Sequence, residues 1–201
     1  MDQARPIVVF DRVTVDGYFS DPNGGLDWAV PDAELDAEGA SRTGGTGAML
    51  FGRRTYEMFA GFWPGALDES GTAANPHAAG ERSAGMRAIA QWLTRTPKYV
   101  FTRTLQQAGW ANTHLLHRLD PTEIRAMKQK TGGGIIIFGS GSIVTQLTEF
   151  GLIDEYHLVV NPVLLGGGRS LVSGLPHRVS LKLLEAKPYA SGNVMLRYAK
   201  A

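Results

Sequence analysis

Ile135-Ile136-Ile137-Phe138-Gly139-Ser140-Gly141-Ser142 sets four consecutive apolar residues directly against a glycine–serine turn. A short unbroken apolar run bounded by turn residues reads as a strand buried on both faces. Ahead of it, Asp120-Pro121-Thr122-Glu123 predicts a helix start. Asp120 serves as N-cap, Pro121 takes the first helical position and Glu123 is spaced to close a capping box. That helix runs to about Lys130 and stops at Thr131-Gly132-Gly133-Gly134. Beyond the turn, Ser142–Phe150 reads as a helix ended by Gly151, and Tyr156–Val160 as a strand stopped by Asn161-Pro162. Helices alternating with buried strands imply a parallel sheet with crossover connections.

The same rhythm extends toward the N-terminus. Ile7–Val15 is a strand closed by Asp16-Gly17, and Ser20 to Gly25 is a loop by composition. Asp32–Glu38 starts a helix, its acids suiting the positive end. Ala48–Phe51 is a strand closed by Gly52, with a helix at about Arg54–Phe59. Trp63 to Gly85, rich in Gly, Ala and Pro, reads as a long surface loop covering part of a site. Met86–Leu93 is a helix and Tyr99–Thr102 a strand; His114 and His117 fall on a further strand and its end. The chain finishes with strands alone, at Leu181–Leu184 and Val194–Tyr198. The expected fold class is therefore α/β: a mostly parallel central sheet, an antiparallel C-terminal edge, helices on both faces, and a single domain over residues 1–201.

Composition narrows the function. Hydrophobic residues make up 43% and charged residues 19%, enough apolar mass for a core. Twenty basic residues nearly cancel nineteen acidic ones, so no global field draws the chain to nucleic acid or to an anionic membrane. Cysteine is absent, which excludes disulfides, thiolate metal sites and the zinc-deaminase signature. The five histidines show no metal-ligand spacing, and no metal is expected. The apolar run at Ile7–Phe10 is too short for a secretory signal, and no stretch approaches the ~20 apolar residues of a membrane span. A cytoplasmic location is the default expectation.

Three segments share one geometry: Phe51-Gly52-Arg53-Arg54-Thr55, Phe101-Thr102-Arg103-Thr104 and Phe138-Gly139-Ser140-Gly141-Ser142-Ile143. Each carries a strand into glycine, hydroxyl or arginine residues. In a parallel sheet those carboxyl ends share one edge, where α/β proteins bind ligands. Glycine lets backbone N–H groups approach an anion, a helix N-terminus adds partial positive charge, and arginine offers a planar fork to phosphate. Together they read as a dinucleotide phosphate site. Singly, each has a plainer reading: a tight turn, a solvated basic face, an ordinary strand end. A Rossmann fingerprint fails, because Val144 stands where its third glycine belongs. Ligand oxygens close to the backbone at Gly139 and Gly141 are expected to account for those two glycines. Asp16 at the strand end either binds or protonates substrate or is simply an Asp–Gly turn. Trp28 is either the floor of a substrate pocket or core.

Gly52-Arg53-Arg54-Thr55-Tyr56-Glu57 resembles the Gly-Arg-x-Thr-x-Glu motif of dihydrofolate reductase-like proteins. Thr102-Arg103 stands where that superfamily places its second adenosine-phosphate contact, and Gly139-Ser140-Gly141-Ser142 is similar to its turn against the cofactor pyrophosphate. Val13 to Gly17, Ile153-Asp154-Glu155 and Val163 to Gly168 resemble the riboflavin-biosynthesis reductase branch, so the likeness spans about residues 7 to 198. It implies NADPH as cofactor, bound by Gly52, Arg53, Arg54, Thr55, Thr102, Arg103, Thr104, Gly139, Ser140, Gly141, Ser142 and Ile143. It also implies hydride transfer to a small heterocycle of pterin or riboflavin-precursor type, and a homodimer. One departure stands out. Folate-reducing members follow Trp-x-x-Pro with one residue and then an acid; here Trp28-Ala29-Val30-Pro31 is followed by Asp32, Ala33 and Glu34, so the acids flank the position. Asp32 and Trp28 become the substrate-side candidates and Asp16 the catalytic one, with folate disfavoured. The rival from another class is a nucleotide-binding module without turnover. A short-chain dehydrogenase is excluded, since none of the six tyrosines has a lysine four residues on.

Overall fold

The computed structural model describes residues 5–67 and 84–201. β1 (Ile7–Thr14) turns into the short β2 (Tyr18–Ser20), followed by α1 (Ala33–Ser41), β3 (Thr46–Gly52) and α2 (Arg53–Phe62). Next come α3 (Ala84–Arg95), β4 (Lys98–Phe101), β5 (Thr113–Leu116), α4 (Pro121–Lys130), β6 (Gly134–Phe138), α5 (Gly141–Glu149) and β7 (Glu155–Asn161). β8 (Arg169–Ser170), β9 (Leu181–Pro188) and β10 (Val194–Lys200) complete the chain. Eight strands form one sheet in the order β5-β4-β3-β6-β1-β7-β10-β9, and β2 and β8 pair separately. Every pairing from β5 across to β7 is parallel, while β10 is antiparallel to both β7 and β9. This is the mostly parallel sheet with an antiparallel edge that the strand rhythm predicts.

Side-chain alternation along the strands builds a core on each face. Ile7, Val9 and Val13 of β1 join Ile135 and Ile137 of β6 under Ile124 of α4 and Ile143, Val144 and Leu147 of α5. On the opposite face Met49 and Phe51 of β3 meet Tyr56, Phe59 and Phe62 of α2 and Trp92 and Leu93 of α3. Leu35 of α1 packs there on Val159 and Met195. Each such buried side chain contributes about 1.5–3 kcal/mol.

Two helix starts, those of α4 and α1, follow local chemistry. Asp120 accepts the Thr122 N–H at 2.8 Å, and Asp32 caps α1 by accepting from Leu35 N at 2.9 Å. Glu123 does not close the expected capping box; its carboxylate lies 3.3 Å from Arg118 instead. At the end of α3 the fully buried Lys98 acts as the cap, its ammonium donating to the carbonyls of Leu93, Thr94 and Thr96. The expected surface loop from Trp63 begins instead inside the core, since Trp63 and Ala66 are buried against α2 and α3. Most of the rest of that predicted loop, residues 68–83, lies outside the described residues.

One feature of the register opens the sheet. β1 pairs with β6 only from Ile7 opposite Ile135 to Phe10 opposite Phe138. Its pairing with β7 continues to Thr14 opposite Asn161. From Asp11 onward β1 therefore has a neighbour on one side alone, and the carboxyl edge parts between β1 and β6.

Candidate cofactor and substrate cleft

A cleft of about 1760 Å3 occupies this parting and extends along the carboxyl edge. All twelve residues expected at a cofactor line it, from Gly52, Arg53, Arg54 and Thr55 through Thr102, Arg103 and Thr104 to Gly139, Ser140, Gly141, Ser142 and Ile143. The tertiary fold thus gathers three segments that lie far apart in sequence.

Ser140 ties two of them together. Its hydroxyl accepts the Gly52 N–H at 2.8 Å and meets the Thr55 hydroxyl at 2.8 Å. To do so the residue takes a left-handed backbone, φ +64°, next to Gly139 at φ +53°. A non-glycine residue in that region costs about 1 kcal/mol or more and marks a shape the surroundings impose. Spent on Gly52 and Thr55, the Ser140 side chain does not cap α5, and no side chain caps α2 either. Two helix N-termini with their partial positive charge thus meet at one cleft edge.

The three arginines around that edge differ. Arg53 donates to both oxygens of Glu57, at 2.8 and 3.0 Å, a half-exposed pair one helical turn apart. Arg54 and Arg103 are exposed and have no anionic partner among the described residues. Thr102 is buried and its hydroxyl accepts from the N–H groups of Thr104 and Leu105, shaping the turn that presents Arg103. Gly141 is not one of the left-handed glycines. A Cβ there would meet the backbone oxygens of Ser170 and Leu171, so the protein's own β8 region, rather than a ligand, demands glycine.

The substrate-side expectations fare unevenly. Asp16 does not line the cleft. Its carboxylate accepts from the Thr14 hydroxyl and from the N–H groups of Leu165 and Gly166, stapling the β1 turn to the chain after β7. Those bonds, Thr14 foremost, hold its carboxyl below the usual range. The Asp–Gly turn is what this residue makes, with the Gly17 N–H donating to Thr14 O at 2.9 Å. Trp28 also stays off the lining, its Nε1 donating to Gly25 O at 3.2 Å. Asp32 does line the cleft, but its oxygens are engaged by Leu35 N and the Ser191 hydroxyl. Burial pushes that carboxyl up, and these hydrogen bonds outweigh it and keep the group below its ordinary range. His114 stacks on Tyr99, and among the described residues no group of His, Asp and Glu could hold a metal.

Sequence reasoning passed over the polar groups of β1 itself. Arg12 enters the cleft from the α1 face, donating to Val30 O at 3.0 Å and lying 3.5 Å from Asp36. Burial pushes the Asp36 carboxyl up, with Arg12 opposing. Asp11, on the other face, also lines the cleft. The available signal was a charge at an inward position of an otherwise apolar strand.

The comparisons with known proteins fall on this architecture. Residues 5–195 match the model of the RibD C-terminal domain. The chain belongs to that family. It is 27% identical over 198 residues to the uncharacterized protein YyaP of Bacillus subtilis (strain 168), across 96% of this chain and 94% of that protein. Among solved structures it is similar to a putative riboflavin biosynthesis protein from Shewanella sp. PV-4, with TM-score 0.72, 20% identity and coverage of 98% and 99% of the two chains. The bifunctional deaminase and 5-amino-6-(5-phosphoribosylamino)uracil reductase of Thermotoga maritima gives TM-score 0.64 at 14% identity, over 98% of this chain and 57% of that one. Dihydrofolate reductase from Enterococcus faecalis, solved with NADP(H), gives TM-score 0.60 at 14% identity over 97% and 96%. This RibD C-terminal domain protein therefore has the dihydrofolate reductase-like fold.

Proposed function

We propose that the protein is an NADPH-dependent reductase acting on a small heterocyclic substrate of pterin or riboflavin-precursor type. The observation that carries this reading is the edge where Ser140 locks Gly52 and Thr55 against the start of α5. Two helix starts without side-chain caps and three arginines there suit a pyrophosphate and a 2′-phosphate. Reduced nicotinamide, when bound, supplies the hydride. The chain's own part is to grip the phosphates through Gly52, Arg54 and Arg103 and to leave the parting beside β1 for the reacting rings. It encloses those rings with Phe10, Phe138 and Phe59 and so keeps water away.

The exposed apolar edge supports a second element of the proposal, a two-fold homodimer. Among the described residues β9 ends the sheet with one side unpaired, and it carries Leu181, Leu183 and Leu184 about half-exposed. An open apolar edge strand invites covering, and a closed contact between identical copies is the commonest way to do it. A cytoplasmic location is retained as part of the same proposal.

The test is a fluorescence titration with NADPH and NADH, followed by NADPH oxidation in the presence of 5-amino-6-(5-phosphoribosylamino)uracil. Tight NADPH binding with turnover supports the reading. Tight binding without oxidation across pterins and ribosylaminopyrimidines favours a nucleotide-binding module, and no binding of either nucleotide overturns both.

A further inference from the structure

Asp11 stands at the first position of β1 beyond its last partner on β6. The alternation of the strand turns it to the face that carries Val9 and Val13, an apolar layer. Oδ1 accepts the N–H of Arg12 at 3.1 Å. Oδ2 is sealed from solvent and has no hydrogen-bond partner among the described residues, yet the residue lines the cleft. A buried carboxylate without a cation or several donors is unstable as an anion, so the group keeps its proton.

The charges around it do not change that. Its opposite number on β7 is Leu158. Arg12 lies on the other face of β1, held by Val30 O and Asp36, and His157 of β7 pairs there with Glu155 and Arg197. In the β2–β8 region Arg169 donates to Pro22 O, Asp21 accepts from Gly25 N, and Tyr18 lies against Gly168. The first turn of α5, Gly141-Ser142-Ile143, carries no charge. Burial pushes the Asp11 carboxyl from its ordinary 3.8 up to about 8, opposed only by the Arg12 N–H.

Resting on the reductase reading, we propose that Asp11 is the proton donor of the reaction, a neutral carboxylic acid kept at the parting of β1 and β6. In the step, a substrate carbon of a C=O or C=N group gains the hydride that reduced nicotinamide supplies. The π bond opens, and the electron pair left on oxygen or nitrogen takes the carboxyl proton of Asp11. The nicotinamide is oxidised, the substrate reduced, and the carboxylate regains a proton from water. A group that titrates near the working pH suits this task, because it holds its proton at rest and still releases it.

Infrared spectroscopy of the unliganded protein tests the state of the group without turnover. A protonated-carboxyl band at neutral pH that vanishes in Asp11→Asn, and fades in the wild type as pH rises through about 8, is expected. Absence of that band overturns the proposal. In the same preparations Asp11→Asn should bind NADPH within about threefold of wild type. It should oxidise it with 5-amino-6-(5-phosphoribosylamino)uracil at least about 100-fold more slowly, the scale of a lost general acid. Asp11→Glu, which keeps a proton, should recover part of that rate. An Asn variant that turns over at the wild-type rate overturns the proposal. Wild-type protein that binds no NADPH removes the reductase reading itself, while the infrared band independently reports whether Asp11 holds a proton.

Discussion

A Cβ added to Gly141 would stand 2.9 Å from the carbonyl oxygen of Ser170 and 3.1 Å from that of Leu171. Backbone cannot yield as a flexible side-chain tip can. Gly141→Val should therefore lower stability, by about 2–3 kcal/mol on the scale of overpacked sites. For a chain of this size that is roughly 5–10 °C in melting temperature. Differential scanning calorimetry checks it. An unchanged melting temperature with lost NADPH binding would show that a ligand, not β8, requires the glycine.

Cofactor preference should follow the free arginines. NADPH is expected to bind at least about tenfold more tightly than NADH, since each charge-assisted phosphate contact is worth roughly 1.5–3 kcal/mol. Arg103→Ala should remove most of that preference. Arg53→Ala should remove less, because its guanidinium already shares Glu57. Titrations of both nucleotides against the three proteins give the ratios, and equal affinities in the wild type would sink the assignment.

Dihydrofolate should not be reduced at an ordinary enzymatic rate, on the order of 1–1000 per second. Ala33 occupies the position of the folate-binding acid, and Asp32 beside it is committed to capping α1 and to Ser191. A spectrophotometric assay with NADPH and dihydrofolate decides this directly.

Stability should fall as pH rises from about 4 to 8. Unfolded, Asp11 ionises near its ordinary 3.8; folded, burial raises it to about 8. Between those values the folded protein holds one proton more than the unfolded chain, which gives a slope of at most about 1.4 kcal/mol per pH unit against folding. Asp11→Asn should flatten this part of the profile and melt higher than wild type at pH 7. Urea titrations across the range, showing the same slope in both proteins, would contradict it.

Light scattering at micromolar concentration should report twice the chain mass. Leu183→Lys, the third residue of the open β9 edge, should shift the protein to monomer without lowering NADPH affinity. A wild-type monomer would remove the dimer.

The order of strands and helices was legible in the chain because it rests on local chemistry. Four apolar residues before Gly139, a proline after Asp120 and an acid at Asp32 each act on their own few neighbours. The three segments proposed to hold the phosphates were legible for the same reason, since each ends an apolar strand. The two-stranded ribbon of β2 and β8 was not, because strands of three and two residues carry no period. Nor could the chain alone assign the carboxylates. Asp16 looked chemical because it closes a strand, yet Leu165 and Gly166, 149 and 150 residues away, consume it. Asp11 drew no attention beside the apolar run of Ile7–Phe10, and only the register of β1 against β6 and β7 puts it at the parting of the strands. Whether a carboxyl is free, stapled or sealed depends on contacts made across the sheet, and those exist only once the chain has folded.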